Sequence, residues 1–158
     1  MKNIKIEIKW AIIFVVMTLF WMILEKLLGF HDKNIENHPI FSNFIAIPAI
    51  TIYVFALLDK KKNFYHGKMS YGKSFISGAI ITLIVTLISP LTQLTISYLI
   101  TPDYFNNVIA YVVKHNLMKQ IDAENYFNIK NYVIMTLIGT PVMGLLTTTL
   151  VSIFTRSK

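Results

Sequence analysis

The chain has 158 residues, of which 54% are hydrophobic, and it carries a formal net charge of +7. This composition is too apolar for a water-soluble domain of that length and leaves room for one domain only. Cysteine is absent, which excludes disulfides, thiolate catalysis and cysteine-ligated metals.

Four long apolar runs account for most of the chain, and each is close to or above the roughly 20 residues that a helix needs to cross a bilayer. The runs cover residues 10–28, 41–58, 75–100 and 132–154. The only formal charges within them are Glu25 and Lys26, at the end of the first run. There they can reach headgroups or water, so we interpret them as interfacial anchors in preference to a proton or ion role. The sequence predicts an all-α integral membrane four-helix bundle, with residues 1–158 as a single transmembrane domain.

The charged residues are distributed unequally between the two sides of the predicted bundle. The N-terminal flank, the loop 59–74 and the C-terminal tail together carry a net charge of +8, whereas the remaining segments carry −1. Short loops rich in Lys and Arg stay in the cytoplasm, so both termini are predicted to be cytoplasmic. The basic charge is therefore a topology signal, and no nucleic-acid partner is predicted.

The first outer loop contains side chains that can bind metals, namely His31, Asp32, Glu36 and His38. Their spacing matches no strong ligand signature, and a single short loop would need further ligands from elsewhere. We therefore predict a solvated loop that holds no metal or other cofactor.

The basic loop after the second run contains Gly67–Ser74, which fits the phosphate-binding pattern G-x-x-x-x-G-K-[ST]. That pattern works when it follows a strand in a folded nucleotide domain. Here a lysine-rich stretch precedes it and a membrane helix follows, so no nucleotide partner is predicted. Membrane lipids are the expected partner of this loop, because basic side chains contact lipid headgroups at the cytoplasmic surface. The predicted contacts are Lys60, Lys61, Lys62, Lys68 and Lys73.

Small and hydroxyl-bearing residues recur at every fourth position in the third and fourth runs. They are Ser74, Gly78, Thr82 and Thr86 in the third run, and Thr136, Thr140, Gly144, Thr148 and Ser152 in the fourth. Residues four apart share a helix face, and small residues in membrane helices let backbones approach while hydroxyls bond across the interface. We predict that these stripes form a helix-packing seam between the two runs, although one stripe could instead serve a dimer.

The loop between the third and fourth runs is the longest segment outside the predicted bundle. Thr101-Pro102-Asp103 is typical of a helix start, and apolar residues follow at helical spacing as far as Leu117. This pattern predicts an extra amphipathic helix over about residues 102–120 in the outer loop. The helix would cover the bundle as a lid or, alternatively, provide a partner-docking surface.

Several segments together resemble a known bacterial family. They are Ser70–Phe75 at the end of the basic loop, the Thr101–Tyr104 opening of the outer helix, and the final run leading into Arg156 and Lys158. The chain resembles the four-span membrane family catalogued as domain of unknown function 4199. That resemblance implies four helices and a bacterial inner membrane, and it implies no activity, substrate or catalytic residue.

No feature of the sequence indicates an enzyme, since no paired carboxylates lie deep in a run and no catalytic triad follows from spacing. The leading hypothesis is a non-catalytic multi-pass protein that binds a membrane or envelope protein or supports envelope assembly. The alternative is a small transporter or channel, homo-oligomeric because four helices enclose little space. Gln93 and the hydroxyls of the third run would then line its path.

Overall fold

The computed structural model describes residues 4–157, and every regular element in that range is helical. The helices are α1 (Lys5–Leu27), α2 (His38–Ser42), α3 (Ala46–Asn63), α4 (Tyr71–Thr95), α5 (Tyr104–Lys114), α6 (Gln120–Tyr126) and α7 (Ile129–Thr155). Short 3₁₀ turns at Ile35–Asn37 and Asn43–Ile45 flank α2, and a π-helical turn at Ile96–Ile100 continues α4. Lys2 and Lys158, which contribute to the predicted topology, lie outside the described residues.

Four helical stretches are long and apolar enough to cross a membrane, which confirms the predicted all-helical bundle. They are Lys5–Leu27, Ile35–Asn63, Tyr71–Ile100 and Ile129–Thr155. Between 11% and 33% of the residues in their most apolar windows are buried, so most of this apolar surface faces outward, as it would in lipid. The helices extend beyond the apolar runs because backbone hydrogen bonding continues into polar flanks such as Lys60, Lys61 and Lys62.

The main core lies where α1, α3, α4 and α7 meet. Its buried residues are Ala11, Tyr53, Ala56, Leu57, Met69, Ile81, Val85 and Val151. One polar contact crosses this core, because the hydroxyls of Tyr53 and Thr82 lie 2.7 Å apart. The bundle is therefore packed internally as well as apolar on its outside.

The outer loop folds into an outer unit, α5 and α6, instead of the single predicted helix over residues 102–120. Asn116 adopts a left-handed backbone conformation, with φ of 55°. Its N–H bonds to the carbonyl of Val113 at 3.1 Å, and the N–H of Leu117 bonds to that of Val112 at 2.8 Å. These paired bonds form a Schellman motif, which ends a helix, so α5 stops at Lys114.

The start of α5 also differs from the prediction. The helix begins at Tyr104, and Thr101 does not cap it. The Thr101 hydroxyl donates instead to the carbonyl of Ile96 at 3.2 Å and so closes the preceding π-helical turn. The apolar face of α5 is buried through Val108 and Val112, which form a second core with Ile35 and Ala123.

Candidate functional site

A polar cluster is buried at the outer end of α1, around the carboxylate of Glu25. Glu25 has no exposed surface in the structure. Its Oε1 accepts hydrogen bonds from Trp21 Nε1 at 2.6 Å and from Ser42 Oγ at 2.8 Å. Its Oε2 lies 3.1 Å from His31 Nε2 and 3.3 Å from His38 Nε2. We call Glu25, His31 and His38 the carboxylate–histidine cluster.

A sharp reversal after α1 brings the first histidine back to Glu25. Gly29 has φ of 78°, a conformation that glycine adopts at little cost. The N–H of Gly29 bonds to the Lys26 carbonyl and that of Phe30 to the Glu25 carbonyl, both at 3.0 Å. This Schellman motif ends the helix and lets His31 fold back onto the last turn. His38 arrives separately, as the first residue of α2.

Tyr104, the first residue of α5, covers the cluster. Its ring centroid lies 5.2 Å from that of His31 and 5.1 Å from that of His38. Its hydroxyl lies 3.4 Å from His38 Nδ1 and 3.4 Å from the Tyr132 hydroxyl. Burial raises the pKa of Tyr104 far above its ordinary value, so the phenol stays neutral and can both donate and accept.

A second contact ties the outer unit to the first outer loop. Asn107 Nδ2 donates to the carbonyl of His31 at 3.0 Å. Beside this contact, a pocket of about 80 Å³ is walled by Asp32, Asp103 and Lys26 among others. Lys26 is exposed and donates to the carbonyl of Ile100 at 2.5 Å. The cluster is therefore closed on one side by α5 and reached on another by a small polar pocket.

The structure corrects two predictions at this end of the bundle. Glu25 is not an interfacial anchor, because its carboxylate is fully enclosed by protein groups. The first outer loop is not uniformly solvated either, since His31 is buried and His38 is half-buried, whereas Asp32 and Glu36 are exposed. The sequence signal for this site is one carboxylate within an apolar run, followed by two histidines across a glycine turn.

The opposite end of the bundle carries a buried ion pair that the sequence did not reveal. The Lys60 ammonium lies 2.9 Å from Oε1 and 3.0 Å from Oε2 of Glu7. The Ser77 hydroxyl donates to Glu7 Oε1 at 2.7 Å. Lys60 and Glu7 are 3% and 1% exposed. This pair joins α1, α3 and α4.

The predicted headgroup lysines accordingly differ in their exposure. Lys60 is wrong as a headgroup contact, because its ammonium is enclosed by Glu7 and the face of Phe64 at 3.8 Å. Lys61 is half-buried, and its Nζ lies 3.4 Å from the carbonyl of Arg156. The exposed side chains are those of Lys62, Lys68 and Lys73.

At the predicted seam, Gly78 and Thr82 of α4 lie against Thr148 and Gly144 of α7. A methyl group added at Gly78 would meet Thr148 Cγ2 at 2.5 Å, and one added at Gly144 would meet Thr82 Cγ2 at 2.5 Å. The two glycines thus make reciprocal contacts with threonines of the opposite helix. Ser74 and Ser152 are buried, whereas the remaining members are half-buried, namely Thr86, Thr136 and Thr140.

The expected hydroxyl bonding across the seam is largely wrong. Among residues 4–157, the buried hydroxyls of Thr148 and Ser152 have no hydrogen-bond partner. Ser74 Oγ does bond across the interface, at 2.9 Å, but its partner is Thr155, outside the predicted stripe. The stripes therefore join α4 and α7 mainly through close packing at the two glycines, with a hydroxyl bond between Ser74 and Thr155.

The segment that fits the phosphate-binding pattern, Gly67–Ser74, forms the loop before α4 and the first residues of that helix. The residues before it continue α3 as far as Asn63, and α4 begins within it at Tyr71. The hydroxyl of Ser74 faces Thr155, and the ammonium of Lys73 lies 5.0 Å from the ring of Tyr65. This local structure has no preceding strand, which the nucleotide-binding motif requires.

Gln93 lies at a cavity of about 100 Å³ among α1, α4 and α7. Its side-chain amide donates to Ser97 Oγ at 3.0 Å. Thr18, Ser89, Thr92, Thr136 and Thr140 also line this cavity. Several polar side chains of α1, α4 and α7 therefore meet at this small space.

These features define a helical bundle with four membrane-length segments, a buried ion pair at one end and a carboxylate–histidine cluster at the other. The chain belongs to the family described as "Protein of unknown function (DUF4199)", whose model matches residues 9–157. Neither the curated proteins nor the solved structures yield a match to this chain.

Proposed function

We propose that this chain is a non-catalytic multi-pass protein of the bacterial cytoplasmic membrane that binds another envelope protein through its outer unit. Both termini lie in the cytoplasm in this proposal, as the charge distribution favours. The single observation that carries it is the exposed apolar surface of the outer unit. Leu117 and Ile121 are 63% and 72% exposed.

The position of these side chains supports a protein partner. The buried face of α5 is already occupied by the second core, so Leu117 and Ile121 are not needed to hold the outer unit together. Leu117 lines a broad, shallow depression together with Met118, Lys119 and Asp122, and Ile121 directly precedes Asp122 in the chain. Apolar side chains rimmed by charged ones are typical of a protein-binding patch.

Photo-crosslinking in living cells tests this proposal directly. We expect a photoreactive amino acid at Leu117 or Ile121 to give one reproducible adduct with another envelope protein. The matched control is Leu137, an exposed apolar residue of α7 within the apolar part of the bundle, where only lipid adducts are expected. Lipid adducts alone at Leu117 and Ile121 would identify the patch as a membrane-surface contact and contradict the proposal.

The cavity at Gln93 favours a second candidate, a small homo-oligomeric transporter or channel. Its polar lining lies among otherwise apolar helices, as expected of a solute path. Oligomerisation would be needed, because the cavity of about 100 Å³ is too small for a continuous pore. Solute flux in proteoliposomes that is abolished by Gln93→Leu would establish this function in place of the first.

A further inference from the structure

We propose that the carboxylate–histidine cluster is a binding site for one divalent transition-metal ion, with Zn²⁺ as the best match. This site is separate from the partner-binding patch and does not depend on it. Its ligands would be Glu25 through Oε2, and His31 and His38 through Nε2.

The spacing of the three atoms suits a metal ion. Oε2 of Glu25 lies 3.1 Å and 3.3 Å from the two imidazole nitrogens. Zinc bonds to nitrogen and oxygen of about 2.0–2.1 Å, arranged tetrahedrally, separate neighbouring ligand atoms by about 3.3–3.4 Å. All three ligand atoms lie within 4.8 Å of one another, so a single ion is within reach of all three.

The surroundings hold Glu25 and His38 in the orientation that a metal needs. Trp21 and Ser42 donate to Oε1 of Glu25, which leaves Oε2 directed at the histidines. The Tyr104 oxygen, 3.4 Å from His38 Nδ1, can accept that N–H while Nε2 binds the metal. Outer hydrogen bonds of this kind fix the tautomer and ring orientation of metal-binding histidines.

Charge provides a further argument. A buried carboxylate is stable only if it is paired, hydrogen-bonded or bound to a metal. Around Glu25 the donors from Trp21 and Ser42 are neutral, so a cation on the histidine side would add the charge pairing that these hydrogen bonds do not provide. A divalent ion bound by neutral imidazoles supplies it.

The donor set indicates which metals fit. Two imidazole nitrogens with one carboxylate suit zinc and related first-row metals, whereas Mg²⁺ and Ca²⁺ prefer oxygen ligands. Three protein ligands leave a fourth position for water. The pocket beside His31, with the carboxylates of Asp32 and Asp103 on its wall, offers a route for a cation to the cluster.

Metal titration of the chelator-stripped protein in detergent tests the site. We expect one equivalent of Zn²⁺ to bind and to raise the midpoint temperature of unfolding. EDTA should reverse this increase, and Mg²⁺ should not produce it. Co²⁺ should give the visible absorption of a four-coordinate site. Loss of an outer hydrogen-bond partner of a ligand typically lowers metal affinity by about tenfold or more, and loss of a ligand itself should lower it at least as much. His31→Gln and His38→Gln should therefore each lower the Zn²⁺ affinity by about tenfold or more.

Exposed histidines provide the matched controls, because His66→Gln and His115→Gln should leave the affinity unchanged. Three results would overturn the site: no stoichiometric Zn²⁺ binding, no four-coordinate Co²⁺ spectrum from the unmodified protein, or binding that survives both cluster substitutions. Loss of binding in His66→Gln or His115→Gln would show an adventitious surface ion instead. The Co²⁺ spectrum needs no substitution, so it remains decisive if a cluster variant does not fold.

Discussion

Gly144→Leu and Gly78→Leu should each lower the free energy of unfolding in detergent by about 1–3 kcal/mol or more, as expected of overpacking in a well-packed interior. The reason is steric, because even one methyl group at Gly78 would meet Thr148 Cγ2 at 2.5 Å and Oγ1 at 2.7 Å. Threonine has few side-chain rotamers in a helix, so these atoms have little freedom to move away. Thermal or denaturant unfolding monitored by circular dichroism measures the effect.

Two further substitutions separate this clash from a general effect of larger side chains. Gly139, also in α7, has nothing within 4 Å of an added Cβ, so Gly139→Leu should leave stability nearly unchanged. Thr148→Ala should rescue Gly78→Ala, because it removes both clashing atoms and a hydroxyl that has no partner. Equal losses in Gly139→Leu and Gly144→Leu would mean that α4 and α7 are not in close contact there.

Lys60→Met is the second substitution with a large expected effect. It leaves the carboxylate of Glu7 buried without its ammonium partner, and breaking a buried ion pair in this way costs about 3–5 kcal/mol. The pair is nearly inaccessible, with side-chain exposures of 4% for Lys60 and 2% for Glu7, so solvent does little to screen it. The free energies of unfolding of Lys60→Met and of the unmodified protein should be measured in the same detergent as for the seam variants and compared.

The neighbouring pair of Lys9 and Asp59 is the matched control for Lys60→Met. The Lys9 side chain is 53% exposed, and that of Asp59 is 13% exposed but also accepts from Trp10 and Asn63, so Lys9→Met should cost only about 0–1 kcal/mol. Combining Glu7→Gln with Lys60→Met should recover much of the loss, because no unpaired charge then remains. If Lys60→Met cost no more than Lys9→Met, the ion pair would not be buried as the structure places it.

The helices of the bundle are joined in two different ways. The glycines of the seam allow α4 and α7 to approach along their length, whereas Glu7 and Lys60 join α1, α3 and α4 near the chain termini. Glu25 joins α1 to the first outer loop at the opposite end. Polar contacts thus join the helices at both ends of the bundle, and apolar and small residues pack between the two ends.

Hydropathy was sufficient to predict the four membrane-length helices, because crossing a bilayer imposes a length and a composition that the sequence shows directly. The repeat of small residues likewise pointed to Gly78 and Gly144, since residues four apart share a helix face. Both signals are local, so neither requires knowledge of how the helices are arranged.

The polar clusters could not be predicted in the same way. Glu7 precedes the first apolar run and Lys60 follows the second, and their pairing depends on how α1 and α3 pack. The sequence also suggested a solvated loop around His31 and His38, because the third ligand, Glu25, lies in a different element. The break in the outer helix depends on one left-handed residue, Asn116, which apolar periodicity does not reveal.

We propose that the chain crosses the membrane four times with both ends in the cytoplasm, and cysteine labelling of intact cells tests this topology most directly. The chain contains no cysteine, so single substitutions at the exposed residues Lys68 and Asp122 report without background. We predict that a membrane-impermeant maleimide labels Asp122→Cys in intact cells and Lys68→Cys only after the membrane is permeabilised. Labelling of Lys68→Cys in intact cells, with Asp122→Cys protected, would contradict this topology.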